Sequence, residues 1–335
     1  MIIRHITYIL PEKIQENEEL AKEFASGWDS KKIFRKTGIR SRHVATTEKT
    51  SDLAVEAAKK LFAESGFPKE NVDFILLCTQ SPDHFLPTTA CIVQDRLGIP
   101  TTCGALDFNL GCSGFVTGLA LAKGLISGNL AKNVLLLTVE TYTKHIHPQD
   151  RSVRTIFGDG AAATLITHQD GEPCKIGEFV FGTDGSGANN LIVPAGGMAL
   201  PRSEETAIEI TDEQGNTRSL NNLFMDGPAI FNFTLDTVPG TVRSLLEKAG
   251  MEIDDIDLYI FHQATKFMLD SLREKIGIPE EKFYFNMEEK GNTVSATIPI
   301  ALREALDEGK IKKGDKLMLV GFGVGYSWTA CIIEW

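Results

Sequence analysis

Arg96-Leu97-Gly98-Ile99-Pro100 and Lys275-Ile276-Gly277-Ile278-Pro279 are near copies, and each stands in a longer series whose parts repeat in the same order. Ile75-Leu76-Leu77 and Gln80 precede the first copy; Leu258-Tyr259-Ile260-Phe261 and His262-Gln263 precede the second. The first series continues through Cys112 and Leu125-Ile126-Ser127-Gly128-Asn129-Leu130 to Val134-Leu135-Leu136-Leu137. The second continues through Asn292 and Leu306-Asp307-Glu308-Gly309-Lys310-Ile311 to Leu317-Met318-Leu319-Val320. The offset is roughly 180 residues, about half the chain and far beyond a solenoid period. It predicts a duplicated α/β domain, with halves at 1–173 and 174–335 around one central cleft. Cys112 and Asn292 then occupy matching points of that cleft.

Working outward, the spacing predicts helices over 52–65, 87–97 and from about 114 to 128, ended by Gly66, Gly98 and Gly128. Short apolar runs at 72–78, 106–110, 134–139 and 161–167 read as buried strands. The second half repeats the plan, with helices over 229–248, 265–276 and 295–307 and strands at 258–261, 316–320 and 327–333. Alternating strands and helices predict mostly parallel sheets with helices on their faces. Residues 182–227, rich in Gly, Asn, Ser and Pro, read as an insertion of hairpin character, a lid or wall of the cleft.

Composition narrows the function. With 42% hydrophobic and 24% charged residues, the 335-residue chain is globular and able to bury a large shared core. No run of roughly 18 apolar residues and no signal-peptide pattern occur, which predicts a cytoplasmic protein without a membrane partner. The net charge of −11 argues against nucleic acid as the main partner. Six cysteines without a C-x-x-C pair indicate neither zinc nor a disulfide framework, so no metal is expected and at least one thiol is free. One local exception to the acidic balance is Lys31, Lys32, Arg35, Lys36, Arg40 and Arg42. Such a cluster is either a solvated face or a docking site for phosphates or an acidic partner.

Cys112 sits where a strand ends and an apolar helix begins, among Gly111, Ser113 and Gly114. Unpaired N–H groups of a first helical turn favour thiolate, so this position suits a nucleophile, although a lone cysteine is also a good small core residue. Gly114 and Gly118 would let this helix pack closely against another. His262 follows a buried strand directly, where open α/β sheets present ligand-binding side chains. Asn292, in Lys290-Gly291-Asn292-Thr293, reads either as a site residue or as a turn and cap residue. The conjunction is the stronger signal, because the pseudo-twofold brings all three to the same cleft.

These residues resemble a family. Asn109-Leu110-Gly111-Cys112-Ser113-Gly114-Phe115, His262-Gln263-Ala264, Gly291-Asn292-Thr293 and Gly321-Phe322-Gly323-Val324-Gly325-Tyr326-Ser327-Trp328 are similar to those of thiolase-fold condensing enzymes of the 3-oxoacyl-acyl-carrier-protein synthase III type. Thr37-Gly38-Ile39-Arg40, Asp150-Arg151 and Phe157-Gly158-Asp159-Gly160-Ala161 fit the same pattern. The resemblance implies a homodimer of five-layered αβαβα subunits, no bound cofactor, and acyl-CoA or acyl-carrier thioesters as substrates. It implies an acyl-Cys112 intermediate, with His262 and Asn292 stabilising the enolate formed when a malonyl unit on acyl carrier protein loses carbon dioxide. The N–H groups of Cys112 and Val324 would form the oxyanion hole. Lys36, Arg40, Leu86, Arg151, Gly227 and Phe322 would bind substrate, and Lys32, Arg35 and Lys266 would dock the carrier.

Neighbouring branches fit less well. Thiolases carry a second cysteine in the C-terminal glycine-rich loop, which is absent from 321–325, and elongating synthases use two histidines where this chain has His262 and Asn292. Chalcone-synthase-like enzymes share the Cys-His-Asn set and are separated only by the wider resemblance. The chain also departs from the pattern. Lys32 stands where many members carry an adenine-stacking Trp, with Trp28 one turn upstream. Phe267 replaces a carrier-docking Arg, and Leu86 replaces an acyl-pocket Phe supplied by the partner subunit. These changes point to an unusual starter or a dedicated carrier. The competing expectations are an acyltransferase that passes the acyl group from Cys112 to an amine or hydroxyl, and a non-catalytic partner subunit of another synthase. Retention of Cys112, His262 and Asn292 weighs against both.

Overall fold

The computed structural model describes residues 1–24, 28–169, 171 and 174–335. The expected division at residue 173 lies outside the described residues. The principal strands are β1 (Ile2–Ile9), β2 (Phe74–Cys78), β3 (Gly104–Phe108), β4 (Asn133–Glu140), β5 (Gly160–Thr167), β6 (Ile176–Thr183), β7 (Leu258–Phe261), β8 (Lys316–Gly323) and β9 (Ser327–Glu334). The helices that frame them are α1 (Ser30–Thr37), α2 (Thr50–Ser65), α3 (Thr89–Leu97), α4 (Gly114–Ser127), α5 (Gly227–Ala249), α6 (Lys266–Ile276) and α7 (Thr297–Asp307). One sheet has the order β1-β5-β4-β2-β3, the other β7-β8-β9-β6.

The apolar runs are continuous because both faces of each sheet are covered. In the first sheet Ile75, Leu77, Leu135 and Leu137 pack outward on α2 and α3, while Leu76, Val134 and Leu136 pack inward. In the second, Leu258, Ile260, Leu317 and Leu319 face inward, and Tyr259, Phe261, Met318 and Val320 face outward into the cluster that includes α5 and α6. Phe115, Val116, Leu119 and Ile126 of α4, with Ile298, Leu302 and Ala305 of α7, fill the space between the sheets. The result is five layers, αβαβα, with α4 and α7 shared by both halves.

The sheets are mixed, which corrects the expectation of mostly parallel pairing. β2 pairs parallel with β3 and β4, and β7 with β8, but β1–β5, β4–β5, β8–β9 and β9–β6 are antiparallel. Residues 324–326 alone join β8 to β9, too few for the crossover that a parallel pair needs.

Gly114 and Gly118 serve a different purpose from the one expected. A Cβ on Gly114 would lie 2.2 Å from Cys78 Sγ, and one on Gly118 would lie 2.6 Å from Leu136 Cδ1. The glycines therefore let α4 settle onto β2 and β4 of the sheet rather than onto another helix. Within 182–227, Leu191–Ile192 pairs with Phe224–Met225 and Ile210–Thr211 with Thr217–Arg218, so the segment has the expected hairpin character. No helix among the described residues is long and apolar enough to cross a membrane.

Candidate active site

Cys112 lies in the turn between β3 and α4, 5% exposed. Two glycines of β8 admit it. A Cβ on Gly321 would meet Ser113 Cα at 2.7 Å and Cys112 O at 2.8 Å, and one on Gly323 would lie 2.9 Å from both Cys112 Cβ and Sγ. Residues 321 and 323 share one face of the strand, so that face is bare backbone where the cysteine turn rests on it. Ser113 Oγ to Ser327 Oγ and Thr117 Oγ1 to Thr329 Oγ1, each 2.8 Å, fasten α4 to β9.

The thiol departs from the sequence expectation. Burial, and then the charge of Glu140, push its pKa up to about 12, against the lowering effect of the Cys112 and Val324 N–H groups. Desolvation outweighs the helix terminus, so the resting group is a thiol. The two N–H groups that favour its anionic form are those expected to line an oxyanion hole.

His262 follows β7 directly, with its backbone N–H held by Val320 O at 2.8 Å and its ring set edge-on to Phe322 with centroids 5.6 Å apart. It is 2% exposed, and burial lowers its pKa to about 3, so the imidazole is neutral at ordinary pH. Nδ1 lies 2.8 Å from Thr297 Oγ1 and Nε2 lies 3.4 Å from Asn292 Nδ2. The adjacent Gln263 is structural: its Nε2 donates to Phe261 O at 2.8 Å and its Oε1 accepts from Asn286 N at 3.0 Å.

Asn292 is tethered to the first half of the chain. Its N–H donates to Ile156 O at 2.9 Å, and its carbonyl accepts from Gly158 N at 3.0 Å. Gly158 is required there, since a Cβ would meet Lys290 O at 2.5 Å. The side-chain Oδ1 accepts the Val294 N–H at 2.9 Å, which aims the amide NH2 at His262. Val294 has φ +55°, an outlying conformation for a β-branched residue that costs on the order of 1–3 kcal/mol.

Cys112, His262 and Asn292 open onto one cavity of about 450 Å3, walled by Phe157, Leu191, Met225, Ile230, Phe231 and Phe322. Gly227 also lines it, and Leu191 and Met225 come from the 182–227 segment, which is therefore a wall. Phe267 stands at this cavity, half-exposed and stacked on Phe231 at 5.3 Å.

The other expected residues lie outside this cavity. Lys32 Nζ and Lys36 Nζ sit 5.1 and 5.0 Å from the Trp28 ring centroid, and Arg151 Cζ sits 5.8 Å away, so Trp28 gathers three of the expected cations around one aromatic face. Arg151 also donates to Gln214 O. Arg40 is paired with Glu288 at 2.5 Å, and Arg35 is exposed on α1. Lys266 pairs with Asp270, and its Cβ would be 2.3 Å from a Cβ on Gly38, so α1 and the start of α6 adjoin. Leu86 is 82% exposed and Phe85 79%, and neither lines the Cys112 cavity of its own chain. Arg42 is not part of any docking face: it is fully buried and donates to Gln15 O, Asn17 Oδ1 and Thr155 O.

Glu140 was not foreseen. It ends β4 fully buried and accepts from Gln80 N at 3.1 Å, Ser81 Oγ at 3.0 Å and Ser295 Oγ at 2.9 Å. Burial raises its pKa to about 8. The only sequence signal was a carboxylate closing the run 134–139, apolar apart from Thr138. Among the described residues no group of three His, Cys, Asp or Glu could hold a metal ion.

Two sheets packed about shared helices, with the cysteine turn of one half seated on the glycine-rich strand of the other, define the thiolase-like class of fold. Residues 106–185 match the model of 3-oxoacyl-[acyl-carrier-protein] synthase III, and residues 246–335 match that of its C-terminal part. The chain is 40% identical over 326 residues to a beta-ketoacyl-[acyl-carrier-protein] synthase III of Clostridium perfringens, covering 97% of this chain and 96% of that one. A crystal structure of a 3-oxoacyl-(acyl-carrier-protein) synthase III superposes with TM-score 0.97 at 51% identity, covering 99% of both chains. The Aquifex aeolicus enzyme of that name superposes with TM-score 0.86 at 32% identity, again covering 99% of both. The chain belongs to the 3-oxoacyl-[acyl-carrier-protein] synthase III family.

Proposed function

We propose that this chain catalyses the decarboxylating Claisen condensation of an acyl thioester starter with malonyl-acyl carrier protein, giving a 3-oxoacyl thioester. The observation that carries the reading is the meeting of Cys112, His262 and Asn292 on one apolar cavity, with two backbone N–H groups favouring negative charge at the sulfur.

In the first half-reaction Cys112 Sγ bonds to the starter carbonyl carbon, and the Cys112 and Val324 N–H groups hold the tetrahedral oxyanion. The carbon–sulfur bond to the donor breaks, and the departing thiolate takes the proton given up by Cys112. In the second, the malonyl C–C bond breaks and carbon dioxide leaves. Donors at His262 and Asn292 hold the enolate oxygen while its carbon attacks acyl-Cys112; the carbon–sulfur bond to Cys112 breaks, and the released thiolate takes a proton from solvent to restore the thiol. Loss of the gas drives the sequence forward.

The apolar walls suit an acyl chain and the gem-dimethyl part of a pantetheine arm. Trp28 with Lys32, Lys36 and Arg151 supports binding of an adenine nucleotide, and Arg35 and Lys266 on adjoining helices support docking of an acidic carrier. Arg40, Gly227 and Phe322 complete the proposed substrate contacts. Exposed Phe85 and Leu86 support a homodimer in which Leu86 reaches the partner's acyl pocket. The site needs no bound cofactor, and the substrates are those of a cytoplasmic protein. The two halves, 1–173 and 174–335, would descend from one duplicated unit.

The test is intact-protein mass spectrometry with a panel of acyl-CoA and acyl-carrier thioesters, on wild type and Cys112→Ala, followed by malonyl-carrier. The expected result is a Cys112-dependent adduct discharged into a 3-oxo product with release of carbon dioxide. Absence of any such adduct would overturn the reading, and an adduct that never provokes decarboxylation would convert it to simple acyl transfer.

A further inference from the structure

Thr297 Oγ1 has one hydrogen and two neighbours that bear on it. It lies 3.0 Å from Val294 O and 2.8 Å from His262 Nδ1. The hydroxyl donates to Val294 O, which also accepts the Thr297 backbone N–H, and it then presents a lone pair to the imidazole. Nδ1 then carries the ring hydrogen and Nε2 is bare. Asn292 agrees with this assignment, because its Oδ1 is engaged by the Val294 N–H and its NH2 is turned toward Nε2, donor against acceptor.

This resting pattern is the wrong one for holding an enolate, which asks Nε2 to donate. Protonation to imidazolium is not available, since burial keeps the ring neutral at ordinary pH. What remains is a change of tautomer. Among the described residues, the hydroxyl that meets Nδ1 is that of Thr297, anchored on the left-handed Val294 whose N–H also fixes Asn292.

We propose that Thr297 is a positioning residue that sets the tautomer of His262, and that condensation proceeds with its hydroxyl turned from Val294 O to Nδ1, leaving the ring hydrogen on Nε2. This rests on the condensing reading above. The balance is simple: while the site is open to water, Nδ1 gives a proton to solvent, Nε2 takes one from it, and the Thr297 hydrogen rotates. No net charge changes. A substrate carbonyl selects the donor tautomer by accepting from Nε2 and from the Asn292 amide together.

The test compares wild type, Thr297→Ser and Thr297→Val, a near-isosteric change that removes only the hydroxyl. Cys112 acylation is followed by intact mass, and carbon dioxide release by isotope-labelled malonyl-carrier. Thr297→Val should acylate within about twofold of wild type but decarboxylate at least about tenfold more slowly; Thr297→Ser should stay within about threefold on both. With 15N-labelled histidine, the free wild type should show Nδ1 protonated. Addition of the amide-linked analogue of malonyl-carrier, with NH in place of the thioester sulfur, should move the hydrogen to Nε2, and this exchange should be lost in Thr297→Val. The proposal is overturned if Thr297→Val decarboxylates at the wild-type rate, if Thr297→Ser is as slow as Thr297→Val, or if free wild type already carries Nε2–H. That last spectrum decides the matter even if Thr297→Val does not fold. Should wild type release no carbon dioxide, the condensing reading fails, while the spectra still decide the part of Thr297.

Discussion

Gly321→Ala tests how the nucleophile is seated. The added methyl would lie 2.7 Å from Ser113 Cα and 2.8 Å from Cys112 O, whereas ordinary contact begins at 3.4 Å. Both opposing atoms are backbone, so no side chain can swing aside. The Cys112 turn must retreat from β8 by about 0.7 Å, or the strand must bow by as much. A displacement of about 1 Å in a reacting group costs on the order of 100-fold, so acylation of Cys112 should fall roughly 30- to 100-fold. Overpacking of this kind costs about 1–3 kcal/mol, which for a chain of this length should lower Tm by roughly 1–4 °C. The comparison is Gly124→Ala, on the same helix α4 but with nothing within 4 Å of its new methyl. It should acylate normally and gain up to about 1 kcal/mol from reduced backbone freedom in the unfolded chain. Rates come from intact-mass time courses and stabilities from thermal melts. A Gly321→Ala protein that acylates within threefold of wild type at unchanged Tm would refute the close-approach argument.

Three further outcomes are expected. Because burial holds the Cys112 thiol at about 12, its alkylation by iodoacetamide should keep rising through pH 9–10 without a plateau, and Glu140→Gln should raise the rate at fixed pH; a plateau below pH 8 would contradict this. Glu140 has a folded pKa of about 8 against an ordinary 4.5, so folding takes up a proton between those values and stability falls as pH rises through that window. Glu140→Gln should flatten that slope in denaturant titrations at pH 5, 6.5 and 8, and an unchanged slope would assign the pH dependence elsewhere. Trp28→Ala should raise the KM for a coenzyme A donor by roughly tenfold or more with little change in kcat, since stacking and three nearby cations meet at that ring; equal loss with a carrier-bound donor would point to docking instead.

Much of this was legible in the sequence because burial on both faces leaves a plain signature. Runs such as 75–77 and 258–261 have no polar interruption, and the end of the second places His262 with little freedom. β1 escaped notice because Arg4 and His5 interrupt its apolar pattern and a register shift falls between Ile3 and His5. α1 escaped because it buries little beyond Ile33 and Thr37 along an otherwise polar helix. The protonation of Cys112 was misjudged for a related reason: a helix terminus is a local feature, whereas desolvation and the Glu140 charge arise from segments distant in sequence. Glu140 itself is made tolerable by Gln80, Ser81 and Ser295, which converge on it only in the folded chain. Trp28 lies one turn from where the family pattern carries its aromatic, yet the fold still sets it beside Arg151.

The shared helical layer has a consequence for biogenesis. α4 is complete once Ser127 has been made, but half of its apolar surface is destined for a sheet whose last strand ends at Glu334. At about 5–20 residues per second, the roughly 200 intervening residues take on the order of 10–40 s to synthesise. Throughout that interval Phe115, Val116, Leu119 and Ile126 lack their second cover on the nascent chain. The reactive cysteine thus acquires its seat on Gly321 and Gly323 only after roughly 200 further residues have been made. Slowing or truncating that last stretch should yield a chaperone-bound, aggregation-prone half rather than a weakly active one.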